Sequence, residues 1–213
     1  MSVSENYQVW HKPLGDNIFV EHALQFKGAI LIEVRFHGRG GQGAVIASEA
    51  LATAGFHEGY HVTAVPFFGV ERRGAPVTAF TRLSKEPILI RSGIYTPDYV
   101  VVLDESLFNA VDVLEGLKAG GAILVNTRRA AAGLPIGKDV KAFTVDATEI
   151  ALKHGLGSPT TPIVNTAILG AFAKISGLVS LNTLIESVCA IVPSKRDANA
   201  AATKDAYDLV RGR

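Results

Sequence analysis

The chain has 213 residues, 48% hydrophobic and 19% charged, a balance that supports a packed core and excludes wholesale disorder. Lysine and arginine total 21 against 20 acidic residues, so the formal charge of +1 gives no long-range field toward nucleic acid or an anionic membrane. No apolar run approaches the roughly 20 residues that cross a bilayer. Met1 to Asp16 lacks the basic-then-apolar pattern of a secretory signal, and the lone Cys189 can neither close an internal disulfide nor hold an iron–sulfur cluster. The expectation is a cytoplasmic protein with no nucleic-acid or membrane partner.

Residues 1–29, interrupted by Trp10, Pro13 and Gly15, show no helical or strand periodicity and read as an N-terminal extension to a domain over 30–213. Ala29 to Phe36 has the β-branched character of a buried strand and runs directly into glycines. Ala44, Ala47, Leu51 and Ala54 recur at helical spacing, a small-residue face suited to close packing on a sheet. His61 to Val65 reads as a second strand, followed by a polar loop over 66–76. Val77 to Leu83 and Ile88 to Arg91 flank a short turn and predict an appended antiparallel hairpin.

Tyr99 to Leu103 is continuously apolar, as a central parallel strand buried on both faces should be. A helix is expected over 107–117, with strands at 122–125 and 141–145. Beyond Pro162 the pattern turns helical. Val164, Ile168, Phe172 and Ile175 share one face, Leu181, Leu184 and Val188 another, and Ala198, Ala202 and Leu209 a third. Ser194 and Asp197 have the spacing of a capping box for the last helix. Alternating strands and helices predict a Rossmann-like α/β fold: a mainly parallel sheet, helices on both faces, and a helical C-terminal third.

Gly38, Arg39, Gly40, Gly41, Gln42 and Gly43 give the spacing G-x-G-x-x-G between a predicted strand and a predicted helix. Glycine lets a backbone approach an anion, and a helix N-terminus attracts one, so a phosphate fits there physically. The acid that grips the ribose of a dinucleotide, expected near the end of the second strand, is missing: His61-Val62-Thr63-Ala64-Val65 runs into Pro66. The same glycines also suit a tight turn with no ligand. Asp104 and Glu105 end the central strand, where α/β sheets bind ligands, although an aspartate there more often caps the next helix. His57 and His61 stand four apart, but Gly59 between them argues against a metal pair.

The second loop, Pro66-Phe67-Phe68-Gly69-Val70-Glu71-Arg72-Arg73-Gly74-Ala75-Pro76, sets adjacent guanidinium groups between glycines. Such forks suit phosphates, carboxylates or a partner's acidic surface, and equally a solvated loop paired with its own acids. RFHGRGGQGAVIASEAL at 35–51, PFFGVERRGAPVTAFTR at 66–82 and IYTPDYVVVLDESL at 94–107 closely resemble the gamma subunit of 2-oxoacid:ferredoxin or acceptor oxidoreductases. Asn165-Thr166, Leu169-Gly170-Ala171, and Asn199 through Ala202 with Tyr207 extend the likeness to about 31–210.

The resemblance implies a complex in which alpha and beta subunits bind thiamine diphosphate with Mg²⁺ and an iron–sulfur delta subunit passes electrons on. The acceptor would be ferredoxin, or NAD through a flavin (FAD) subunit, and CoA would take the acyl group. Pyruvate is the first-choice 2-oxoacid and phenylglyoxylate the second. This chain would supply no catalytic residue. Gly38 to Gly43 with Phe68, Gly69, Arg72, Arg73 and Gly74 would serve the shared interface or the CoA phosphates, and the extension would wrap a neighbour. The rival reading is a free-standing nucleotide-binding reductase or regulator.

Overall fold

The computed structural model describes residues 30–67 and 74–212; the extension over 1–29 lies outside them. The strand feeding the glycines is β1 (Leu31–Arg39) and the alanine-rich helix after them is α1 (Ala44–His57). β2 (His61–Phe67) and β3 (Pro76–Ser84) follow, then β4 (Tyr99–Val102), β5 (Ala122–Asn126) and β6 (Lys141–Val145). The C-terminal part holds α2 (Ala147–Lys153), a short β7 (Gly157–Ser158) and β8 (Thr161–Pro162) ribbon, α3 (Ala167–Ser176), α4 (Leu181–Ile191), α5 (Arg196–Leu209) and β9 (Arg211–Gly212).

Among the described residues one seven-stranded sheet forms, in the order β2-β3-β1-β4-β5-β6-β9. β1, β4, β5 and β6 run parallel; β3 lies antiparallel between β1 and β2, and β9 is antiparallel to β6. Period-two alternation divides the core. Val34, Phe36, Val101, Leu103, Leu124 and Val145 point to one face, where all five α-helices pack. Val100, Val102, Ile123, Val125 and Ala142 point to the other, under Leu107, Val113, Leu134 and Ile136.

The Rossmann-like α/β fold stands, with three local differences. The hairpin partner of β3 is β2 rather than 88–91, because β3 pairs with β2 on one edge and β1 on the other and has no edge left. The helix expected over 107–117 shortens to a 3₁₀ turn, Glu105–Asn109, and turns. Its carbonyls are wanted elsewhere: the buried Arg35 guanidinium donates to the Val113 oxygen, and Asp112 accepts the Leu114 N–H, which breaks the helical ladder. The α-helices expected on both faces therefore lie on one face alone, and the second is roofed by 3₁₀ turns and loops.

The expected capping box is also absent. α5 starts at Arg196 with Lys195 as its left-handed first cap, so the Ser194 hydroxyl stands one residue too early. Asn199 instead turns its amide back on the Lys195 carbonyl at 2.9 Å. On the predicted helical faces, Ile168, Phe172, Leu184, Val188 and Ala202 are buried, while Leu209 is exposed and Ala206 takes the core position.

Candidate functional site

The chain leaves β1 toward the helical face through α1, and leaves β4 toward the opposite face through the 3₁₀ turn. Where β1 lies beside β4 the connections therefore diverge, and in open α/β sheets a crevice opens at such a point beyond the strand C-termini. Gly38, Arg39, Gly40, Gly41, Gln42 and Gly43 all sit there.

The loop is closed by its own side chains. The Gln42 amide oxygen accepts the Arg39 N–H at 2.8 Å, and its NH₂ donates to Asp104 at 3.0 Å. The Arg39 guanidinium lies 3.2 Å from the Asp104 carboxylate, and donates to the Ser106 hydroxyl at 2.7 Å and the Gly74 carbonyl at 2.9 Å. Gly40 exchanges hydrogen bonds with the chain at 74–75: its N–H donates to the Ala75 carbonyl, and its carbonyl accepts from Gly74. The two loops of interest do meet at this edge. Phe68, Gly69, Arg72 and Arg73 lie outside the described residues.

Gly43 is the helix N-cap, with φ 78°, and it makes no side-chain cap. The positive φ calls for glycine, and a β-carbon there would also fall 2.2 Å from the Asn165 amide nitrogen, so that side chain would have to shift.

Asp104 does cap the 3₁₀ turn, accepting the Ser106 N–H at 2.9 Å and its hydroxyl at 2.6 Å. Burial pushes its carboxyl up, but Ser106, the Gln42 amide and the Arg39 guanidinium outweigh that and hold it below the usual carboxylate range. The anion site imagined at this loop is thus shared with a carboxylate, and Arg39 is already paired. The described glycine-loop residues fit a phosphate poorly and a rigid, neutralised contact surface well.

Beside the loop a cleft of about 410 Å³ runs across the ends of β4, β5 and β6, lined by Asp104, Asn126, Thr127, Arg128, Asp146 and Thr148 among others. The Asn126 amide bonds the Leu103 carbonyl at 2.9 Å and the Thr148 hydroxyl at 3.0 Å, tying the ends of β4 and β5 to α2. Thr127 bonds Glu105. Arg128 pairs with Asp146 at 2.9 Å and Glu149 at 3.2 Å. Sequence reasoning passed over Asn126 to Arg128 and Asp146. Their position just past predicted strand ends was the available signal.

His37, at the tip of β1, is buried on the loop-roofed face, where its Nε2 accepts the Arg35 Nε–H at 3.0 Å. Burial, and then the Arg35 charge, push its pKa from 6.5 down to about 3. The unfolded chain takes up this proton near 6.5, so the stability due to neutral His37 is complete above that pH and lost as pH falls toward 3. Between about pH 7 and pH 5 the unfolding free energy measured by urea titration should drop, by up to about 1.4 kcal/mol per pH unit. His37→Gln, whose amide oxygen still accepts from Arg35, should flatten that slope.

A parallel core extended by an antiparallel β2–β3 edge, with a glycine loop at its switch point, defines a Rossmann-like domain. The chain belongs to the pyruvate ferredoxin/flavodoxin oxidoreductase family, whose model matches residues 33–209. It is a gamma-type subunit of an oxidoreductase that acts on an oxo group.

It is 54% identical over 182 residues to pyruvate synthase subunit PorC of Methanothermobacter marburgensis, covering 85% of this chain and 98% of that protein. It is 53% identical over 182 residues to the pyruvate/ketoisovalerate oxidoreductases common subunit gamma of Pyrococcus furiosus, covering 84% of this chain and 96% of that one. The crystal structure of pyruvate oxidoreductase subunit PORC from Thermotoga maritima superposes with a TM-score of 0.71 at 35% identity, covering 85% and 98% of the two chains.

Proposed function

We propose that this chain is the gamma subunit of a cytoplasmic complex that oxidatively decarboxylates pyruvate with CoA, giving acetyl-CoA and CO₂ and reducing ferredoxin. The supporting observation is its identity, over nearly their whole lengths, to relatives named as pyruvate synthase and pyruvate/ketoisovalerate oxidoreductase subunits. Alpha, beta and delta partners hold thiamine diphosphate with Mg²⁺ and [4Fe–4S] clusters. Thiamine diphosphate supplies the carbanion chemistry of decarboxylation, and the clusters carry electrons singly. This chain contributes structure. Its Arg39–Asp104–Ser106–Gln42 lock holds the glycine loop against residues 74–75, giving the partners a fixed edge to dock on.

Arg72 and Arg73 extend this edge in sequence, and with Arg39 committed they are the guanidinium groups to assign to an acidic partner surface or to the CoA phosphates. Replacing both with glutamine in the intact complex should raise the KM for CoA or weaken assembly by about tenfold, the factor that about 1.4 kcal/mol represents. Unchanged CoA kinetics together with unchanged assembly would reject the assignment.

The overall reading is tested on the protein purified from its own cells. A species several times 22.6 kDa that reduces ferredoxin with pyruvate and CoA is expected. Preference for phenylglyoxylate or a branched 2-oxoacid, or for NAD through an FAD-bearing subunit, would move the assignment within the family. A monomer or small homo-oligomer active alone would favour the free-standing reductase instead.

A further inference from the structure

At the opposite end of the sheet from the glycine loop, a groove of about 310 Å³ opens at the start of the parallel strands. Its floor is apolar: Ile32 of β1, Tyr99 of β4, Phe143 of β6 and Ile175 at the end of α3 pack on the core yet stay partly exposed. Its rim carries two lysines, Lys118 and Lys141, and one carboxylate, Asp98. Lys118 lies 2.8 Å from Asp98, whereas Lys141 makes no ion pair among the described residues.

We infer that this groove is the docking site of the chain's own N-terminal segment, residues 16–26. The chain enters the described fold at Ile30, itself 76% exposed and two residues before the groove residue Ile32. Phe26 precedes Ile30 by only four residues, and at about 3.3–3.6 Å per residue the segment Asp16 to Phe26 has ample reach.

Its composition is complementary: Ile18, Phe19, Val20, Leu24 and Phe26 match the floor. Asp16 and Glu21, with no lysine or arginine between residues 16 and 26, match Lys141, the rim lysine that makes no ion pair among the described residues. The segment is also additional to the family pattern. The family match begins at residue 33, and the M. marburgensis relative is covered to 98% by only 85% of this chain. A groove left open at the base of the conserved-length fold is thus covered by the part that this chain adds.

The test uses the full chain with whatever subunits accompany it. Carbodiimide joins a carboxylate to a lysine amine only where the two touch. A mixture of isotope-labelled and unlabelled protein distinguishes links within one chain from links between copies. Asp16 or Glu21 joined to Lys141 or Lys118 of the same chain is the expected product. Lys141→Glu with Ala119→Glu, two exposed positions whose replacement leaves the core intact, should lower the remaining Lys118 link about fivefold, which corresponds to roughly 1 kcal/mol. Links only to another subunit or a second copy, no link at either lysine, or a Lys118 link indifferent to the charge reversal would each overturn the inference. None of these outcomes bears on the choice of 2-oxoacid.

Discussion

Glu33→Ala should cost the fold about 3–5 kcal/mol, the usual effect of removing one partner from a buried ion pair. Glu33 and Arg82 face each other across β1 and β3, with Arg82 Nε 2.9 Å from the carboxylate and their side chains only 12% and 2% exposed. Arg82 cannot retreat to water, since its other nitrogens donate to the Ser92 and Gly93 carbonyls at 2.8 and 3.0 Å. The alanine variant therefore strands a cation inside the protein.

The double change Glu33→Leu, Arg82→Met removes both charges and should cost clearly less than the two singles summed, though not nothing. The Ser92 and Gly93 carbonyls then lose their donor, and Lys118, 3.7 Å from Glu33, loses one acid while keeping Asp98. Urea titrations of the parent, Glu33→Ala, Glu33→Leu, Arg82→Met and the double variant make the measurement. A Glu33→Ala loss below about 1 kcal/mol would mean that water reaches the pair.

This pair also explains why the loop-roofed face was hard to read in advance. Ile88 to Arg91 has strand composition, and only the knowledge that β3 is flanked on both sides removes it from the sheet. The roof is held by long side chains reaching backbone carbonyls, Arg82 to 92–93 and Arg35 to Val113, and such contacts leave no period in the sequence.

The helical face was legible because period carries it. Ile168 and Phe172, or Leu184 and Val188, bury as spaced, and the continuously apolar Tyr99 to Leu103 is a central strand covered on both faces. The candidate site lies between these cases. Its glycine spacing and its place after β1 were readable, but the pairing of Arg39 with Asp104 was not, since those residues are brought together only when β1 lines up beside β4.

Asn165-Thr166, Gly170 and Asn199, singled out by resemblance, find their physical reason where α3 crosses α5, and Gly170→Ala should have the other large effect. Judged on helix propensity alone, alanine in place of a mid-helix glycine stabilises by about 1 kcal/mol. Here the sign reverses. A β-carbon on Gly170 would stand 1.8 Å from the Thr203 carbonyl oxygen and 3.1 Å from the Tyr207 nitrogen, both backbone atoms that no rotamer change can move.

The helices would have to part, loosening the Thr166 hydroxyl from Asn199 at 2.6 Å and the Thr203 hydroxyl from the Thr166 carbonyl at 3.2 Å. A net loss of about 3 kcal/mol is expected, at the upper end of overpacking in a close-packed core. Adding Thr203→Ala should not restore it, because the obstruction is the carbonyl and not the side chain. Asn165, at the head of α3, stands against Gly43, so the displacement should carry into the glycine loop and weaken assembly with the partner subunits as well. A Gly170→Ala chain as stable as its parent would show that the two helices do not approach this closely.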